Sequence, residues 1–113
     1  MTAGLAIIPD PVLGDDHIAA TIAKLALTHK LSSVGDGRSF VDAGGLFAFD
    51  DNYLAMAKRS TWYVDQILKG AAPGNLAADL SMERKLFVNL KTAKELGITI
   101  PTSVLARADE VIE

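Results

Sequence analysis

The chain has 113 residues, half of them apolar, with 22% charged residues, a net charge of −3 and no cysteine. That length fits one small domain burying roughly 65% of its unfolded surface, and the composition excludes a disordered or strongly polarised chain. It also excludes disulfides, thiolate metal sites and a cysteine nucleophile. The eleven Lys and Arg are scattered and form no basic run alternating with aromatic residues, so no nucleic-acid partner is expected.

No apolar stretch approaches the ~20 residues that span a bilayer. The segment Met1 to Pro11 has no basic region before its short apolar run and does not read as a secretory signal. Leu5 to Ile8 reads as a buried strand, closed by Pro9, Asp10 and Pro11. Pro11 biases Asp10 towards an extended backbone, which places this carboxylate just past a strand end, where open α/β sheets bind ligands. Gly14, Asp15 and Asp16 open a helix predicted to reach Lys30, with Ile18, Ile22, Leu25 and Ala26 on its apolar face. A short strand is predicted over Leu31 to Val34, followed by a turn at Gly35-Asp36-Gly37. Strand, helix, strand favours a parallel pair with a right-handed crossover.

Phe40 and Val41 lead through Ala43-Gly44-Gly45 into a strand at Leu46 to Phe49. Asp50, Asp51 and Asn52 supply caps for a helix from about Asn52 to Lys69. Leu54, Ala57, Thr61, Val64 and Leu68 form its stripe, Gly70 is a natural stop, and Ala71 to Asn75 reads as a linker. Met82 to Val88 can form a strand, with Leu86 and Val88 on one face and Phe87 on the other. Asn89 then caps a short helix over Leu90 to Leu96, ended by Gly97. Beyond Pro101 a last helix is predicted, with Val104, Leu105, Ala108 and Val111 as its buried stripe. The expected fold class is α/β, with short, mainly parallel strands and flanking helices.

The chemistry-bearing residues offer little for catalysis. His17 and His29 lie twelve positions apart on one helix, roughly 120° around its axis, so they cannot share a metal. Gly35-Asp36-Gly37-Arg38-Ser39 could form a small anion nest, but it matches neither a Walker loop nor Gly-x-Gly-x-x-Gly, and a plain turn is the simpler reading. Asp15-Asp16 and Asp50-Asp51 read as helix caps rather than acid–base pairs. No Gly-x-Ser-x-Gly elbow is present. Trp62 and Tyr63 sit at the edge of a helical stripe, where partial burial is the ordinary expectation. No enzyme activity, metal or cofactor is expected. Asp10 alone has a position that favours function: its carboxylate could grip a ligand ammonium group, although capping of the next helix fits the pattern equally well. A receiver-like domain would need clustered acids at several strand ends with a lysine partner, and only Asp10 and Asp36 are so placed.

Leu86 to Pro101, with Asn89-Leu90-Lys91-Thr92-Ala93 and Gly97-Ile98-Thr99-Ile100-Pro101 at its centre, resembles the closing motif of one solute-binding family. Phe40 to Leu46 is similar to that family's glycine-pair crossing segment, and Tyr63 to Gly70 to the end of its following helix. The family is that of ABC-transporter substrate-binding proteins, including tryptophan/tyrosine-type solute-binding lipoproteins with a type I periplasmic-binding-protein fold. The resemblance covers residues 4 to 113 and the last third of such a protein. It departs at Val34 to Ser39, where the family loop reads more like tyrosine-proline-serine-arginine-glutamate, at Asp50, which stands for a glycine, and in the linker Ala77 to Arg84.

The resemblance implies two α/β lobes around a cleft, closing on a solute before an importer permease engages them. By it, residues 1–45 and 77–113 belong to the second lobe and 46–76 cross into the first, with Leu46 to Phe49 as a hinge strand. Asp10 matches a ligand-ammonium contact, and Gly37, Arg38 and Ser39 lie at the cleft mouth. The implied solute is an amino acid or similar small molecule and the implied location extracytoplasmic. As a form lacking most of the first lobe, the chain is expected to leave the helix after Asn52 uncovered and to self-associate as a homo-oligomer.

Overall fold

The computed structural model describes residues 3–78 and 83–113. Its elements in chain order are β1 (Gly4–Ala6), α1 (Asp16–Thr28), β2 (Ser32–Asp36), α2 (Arg38–Asp42), β3 (Phe47–Asp51) and α3 (Tyr53–Leu68). A 3-10 turn at Pro73–Asn75 precedes β4 (Arg84–Asn89), α4 (Leu90–Leu96), α5 (Thr102–Leu105) and β5 (Glu110–Ile112). The strands form one sheet in the order β1-β2-β3-β4-β5. β1, β2 and β3 are parallel neighbours, Ala6 opposite Val34 and Val34 opposite Phe47. β4 and β5 are also parallel, Val88 opposite Val111. Between β3 and β4 the direction reverses: Asn89 donates its amide to the Leu46 carbonyl at 3.0 Å, and Asn52 to that of Glu83 at 3.1 Å. The sheet is therefore mixed and mostly parallel, which agrees with the fold class expected from the sequence.

The reversal explains the layering. A crossover of constant hand carries its helix to the opposite face once the strand direction flips. Ala48 and Phe87 accordingly join Ala19, Ala23, Phe40 and Val41 in one core cluster under α1 and α2. Val88 joins Leu46, Ala93 and Ile100 in a second cluster, on which Phe47, Leu86, Val104 and Leu105 pack, under α4 and α5. Beside β1 and β2 the second face holds an apolar groove of about 280 Å³, lined by Gly4, Ala6, Ser32, Val34, Leu46 and Phe47 among others.

The chain forms two compact units, one of residues 1–50 and 85–113, the other of residues 51–84. Both core clusters belong to the first unit. In the second, none of the sixteen residues of α3 is buried.

Several expectations need correction. β1 is not a buried strand: it is displaced to Gly4–Ala6, an edge strand with only Leu5 half-buried. The buried face of α1 is Ala19, Ala23 and Ala26, while Ile18 and Leu25 are 37% and 54% exposed. Alanines let the helix approach the sheet closely, and the bulkier residues then fall outside the contact. Gly35 and Asp36 belong to β2 rather than to a turn, and a five-residue helix, α2, follows where none was predicted. The last helix ends at Leu105, and Val111 lies in a fifth strand, β5, held by pairing with β4. The predicted start of β4 at Met82 lies outside the described residues. By contrast, α3 runs between an Asn52 cap and Gly70 (φ +100°), and α4 between an Asn89 cap and a left-handed Gly97 (φ +70°), as the sequence indicates.

Candidate functional site

Parallel pairing of β1, β2 and β3 brings the loops after these strands to one edge of the first unit. Asp10 lies in the first loop, Gly37, Arg38 and Ser39 follow β2, and Phe49 and Asp50 lie towards the end of β3. The N-terminal ends of α1 and α2 open at the same edge, because each follows directly on one of these loops.

Asp10 is exposed, and its carboxylate Oδ1 accepts the amides of Val12 at 2.8 Å and Leu13 at 3.2 Å. Its own carbonyl accepts the Gly14 amide at 2.7 Å, which closes a tight turn. The cap of α1 is not Asp10 but Asp15, whose Oδ1 accepts from His17 and Ile18. Arg38 is committed internally: Nη1 lies 2.6 Å from Glu110 Oε1 and Nε 3.3 Å from Asp42 Oδ2. These side chains are 52%, 39% and 50% exposed respectively, so the pairs are screened and contribute little to stability. The Ser39 hydroxyl donates to Asp16 Oδ1 at 2.7 Å, tying the start of α2 to the first turn of α1. The Gly37 amide donates to the Phe49 carbonyl at 2.9 Å and so points into the sheet. The Gly37 amide and the Arg38 and Ser39 side chains are thus engaged within the protein, which leaves Asp10 as the site residue whose charge faces solvent without an ionic partner among the described residues.

Asp10 has exposed apolar company in its own loop and on β3. Ile8, Val12 and Leu13 in its own loop are 77%, 63% and 40% exposed, and Phe49 on β3 is 46% exposed. With Ile18 on the first turns of α1, they place exposed apolar side chains at the same edge as this carboxylate. The signal was present as four large apolar residues beside Asp10 and Asp50, but only strand order shows that they share an edge. Among the described residues, no group of three or more His, Cys, Asp or Glu is placed to hold a metal ion. No helix there is long and apolar enough to cross a membrane.

Residues 6–112 match the family model of the ABC transporter substrate binding protein. The chain belongs to that family. Substrate-binding proteins of this kind are non-enzymatic transport components and typically extracytoplasmic. Two solved structures are similar at 28% identity, each over 95% of this chain. One is a conserved domain protein from Vibrio cholerae, with a TM-score of 0.75, and the other an ABC domain in complex with L-Trp from a Streptococcus, with a TM-score of 0.74. A ligand-free, open substrate-binding protein with adhesive properties from Clostridium difficile shares the fold, with a TM-score of 0.64 at 18% identity over 96% of this chain. The chain spans 36% of the length of each of these three. Among curated proteins, none matches it.

Proposed function

We propose that this chain supplies one side of a solute site in an ABC importer's substrate-binding protein, for an amino acid with an apolar side chain. The observation that carries the proposal is the edge formed by the loops after β1 to β3, which holds the Asp10 carboxylate, exposed Ile8, Val12 and Leu13 in the same loop, and exposed Phe49 on β3. An α-ammonium group would pair with Asp10, and an apolar side chain would cover the surrounding surface. The L-Trp complex of the Streptococcus neighbour supports an amino acid as the ligand class. Gly37, Arg38 and Ser39 would border the site. A solute carboxylate could use Arg38 only by competing with Glu110 and Asp42. In this reading residues 1–45 and 77–113 serve the second lobe, 46–76 cross towards the first, and the working location is extracytoplasmic.

Contacts from one side give modest affinity, because closure of a second lobe contributes much of the binding free energy in two-lobe proteins. For the 113-residue chain a Kd on the order of 1 mM, about 4 kcal/mol, is expected for tryptophan or a similar amino acid. Titration followed by backbone amide shifts should move residues 8–13 together with 36–39. Asp10→Asn is the informative variant: its amide oxygen can still accept from Val12 and Leu13, so the turn survives while the charge is lost. Binding should weaken roughly tenfold, as for loss of a charge-assisted hydrogen bond. No shift in residues 8–13 with any of the twenty amino acids would defeat the proposal.

A second reading is favoured by α3. It exposes Leu54 (67%), Val64 (56%) and Leu68 (82%) along its predicted stripe, with Tyr53, Met56 and Ile67 on its flanks. A surface of this kind marks an interaction site, and a second copy of the chain is the occupant proposed here. Light scattering across a concentration series should show a dimer that Leu54→Glu with Leu68→Glu converts to monomer. A parent chain that stays monomeric at every concentration would reject self-association and leave the solute proposal untouched.

A further inference from the structure

Two apolar surfaces lie open among the described residues, one in each compact unit. The first is the groove of about 280 Å³ on the sheet face opposite α1 and α2, lined by Gly4, Ala6, Val34 and Phe47 among others. The second is the outer side of α3. At about 100° per residue, Val64 and Leu68, 56% and 82% exposed, lie across the helix from half-buried Ala55 and Gln66. The helix therefore turns its apolar stripe to water, which an amphipathic helix does not favour without a partner.

We propose that α3 of one copy packs into the sheet groove of a second copy, and that the contact is reciprocal. Self-association through α3 is the reading on which this rests; the groove is the surface that receives the helix. The widths match, because three strands at about 4.8 Å spacing span roughly 10 Å, the diameter of one helix. The charges match as well. Residues 53–69 hold three Lys and Arg against Asp65 alone, whereas the unit with the groove holds ten Asp and Glu against seven Lys and Arg. Area decides the pairing. The sixteen residues of α3 have a footprint of about 24 by 10 Å. A helix-to-helix pair has two such surfaces, roughly 500 Å², too little for a specific interface. The reciprocal pair has four, about 1,000 Å², which reaches that threshold and covers both open surfaces at once.

Paramagnetic broadening between copies locates the contact. The chain has no cysteine, so Lys58→Cys on the exposed polar side of α3 takes a single nitroxide. Mixed with isotope-labelled parent chain that carries no nitroxide, it should broaden the amides of Gly4 to Ala6, Ser32 to Val34 and Phe47 more than those of α3. Ala6→Glu is the matching variant. Ala6 is exposed on an edge strand and belongs to neither core cluster, so the unit stays folded while the groove gains an unpaired charge. Its dimer dissociation constant by light scattering should rise roughly a hundredfold, with the amide spectrum of α1 and α2 unchanged. Broadening centred on α3 of the labelled copy overturns the groove as the receiving surface and leaves self-association in place. An Ala6→Glu chain that dimerises like the parent does the same. A parent chain that is monomeric at every concentration rejects both.

Discussion

Gly45→Ala should unfold the first unit's core more readily than any other single methyl addition, with a loss of about 3 kcal/mol for overpacking of a tight site. A Cβ at position 45 would overlap ring atoms of Phe40 and stand 2.8 Å from the Phe40 carbonyl. The Phe40 ring is fully buried and lies against Gly35 as well, where an added Cβ would stand 2.6 Å from it, so little free space is left for it to move into. Phe40 thus packs against two glycines whose missing side chains make its space. The effect is steric, since Gly45 is not among the residues with positive φ. For a domain near this size the change corresponds to a fall in Tm of roughly 15 °C. Gly74→Ala, where nothing lies within 4 Å, serves as the control and should leave Tm unchanged. Phe40→Leu combined with Gly45→Ala should be less damaging than the two separate losses added together, because the smaller side chain frees the space that the methyl fills. Additive losses, or a Gly45→Ala variant as stable as the parent, would show that the corner relaxes without strain.

Asn89→Ala should lower the urea midpoint by a comparable margin, about 2–3 kcal/mol at constant m. Asn89 is 5% exposed and works in three directions. Its backbone amide pairs with Leu46, its Oδ1 accepts the Thr92 amide at 3.0 Å as the cap of α4, and its Nδ2 donates to the Val41 carbonyl at 2.8 Å. Thr92 adds a bond from its hydroxyl to the Gly44 carbonyl at 3.1 Å. The two side chains therefore brace the loop between α2 and β3 from the end of β4. Alanine removes the cap and leaves the buried Thr92 amide without its acceptor. Asn89→Asp keeps the cap oxygen but points a buried charge at the Val41 carbonyl. That variant should be about as unstable as alanine at neutral pH and recover on acidification, since a protonated carboxyl can donate where the amide did. A midpoint independent of pH in Asn89→Asp would mean that the bond to Val41 contributes nothing.

Asn89 also shows why the closing motif is legible in the sequence. Asn89 as cap and Gly97 as left-handed stop are local devices, and each acts within one turn of its own helix. The same holds for Asn52 and Gly70 at the ends of α3. Their outcome depends on neighbours along the chain, so a single sequence is sufficient to find them. The tertiary duties of Asn89, by contrast, involve Val41 and Leu46, more than forty positions away. Nothing in the order of residues announces those partners.

The elements that escaped the reading are short ones. α2 has five residues and β5 three, both too brief for a periodic pattern to separate from its surroundings. Val111 continued the spacing of Val104, Leu105 and Ala108 and so passed for a helix position. Pairing with β4 made the segment a strand instead. The isoleucines of α1 likewise looked like its core face by hydrophobicity alone. The alanines won because close packing around Phe40 rewards small side chains at that distance.

The candidate site divides in the same way. From the sequence came Asp10 after a strand, the loop of Gly37, Arg38 and Ser39, and the family to which the chain belongs. Only the folded chain revealed that Arg38 and Ser39 are engaged with Glu110 and Asp16, and that Phe49 shares an edge with the Asp10 loop. Caps, stops and helix stripes are fixed within a few residues of one another, where backbone geometry alone connects them. Strand order, the choice of buried face and the partners of a charged side chain are settled by packing between distant segments, and that competition is decided only when the whole core closes.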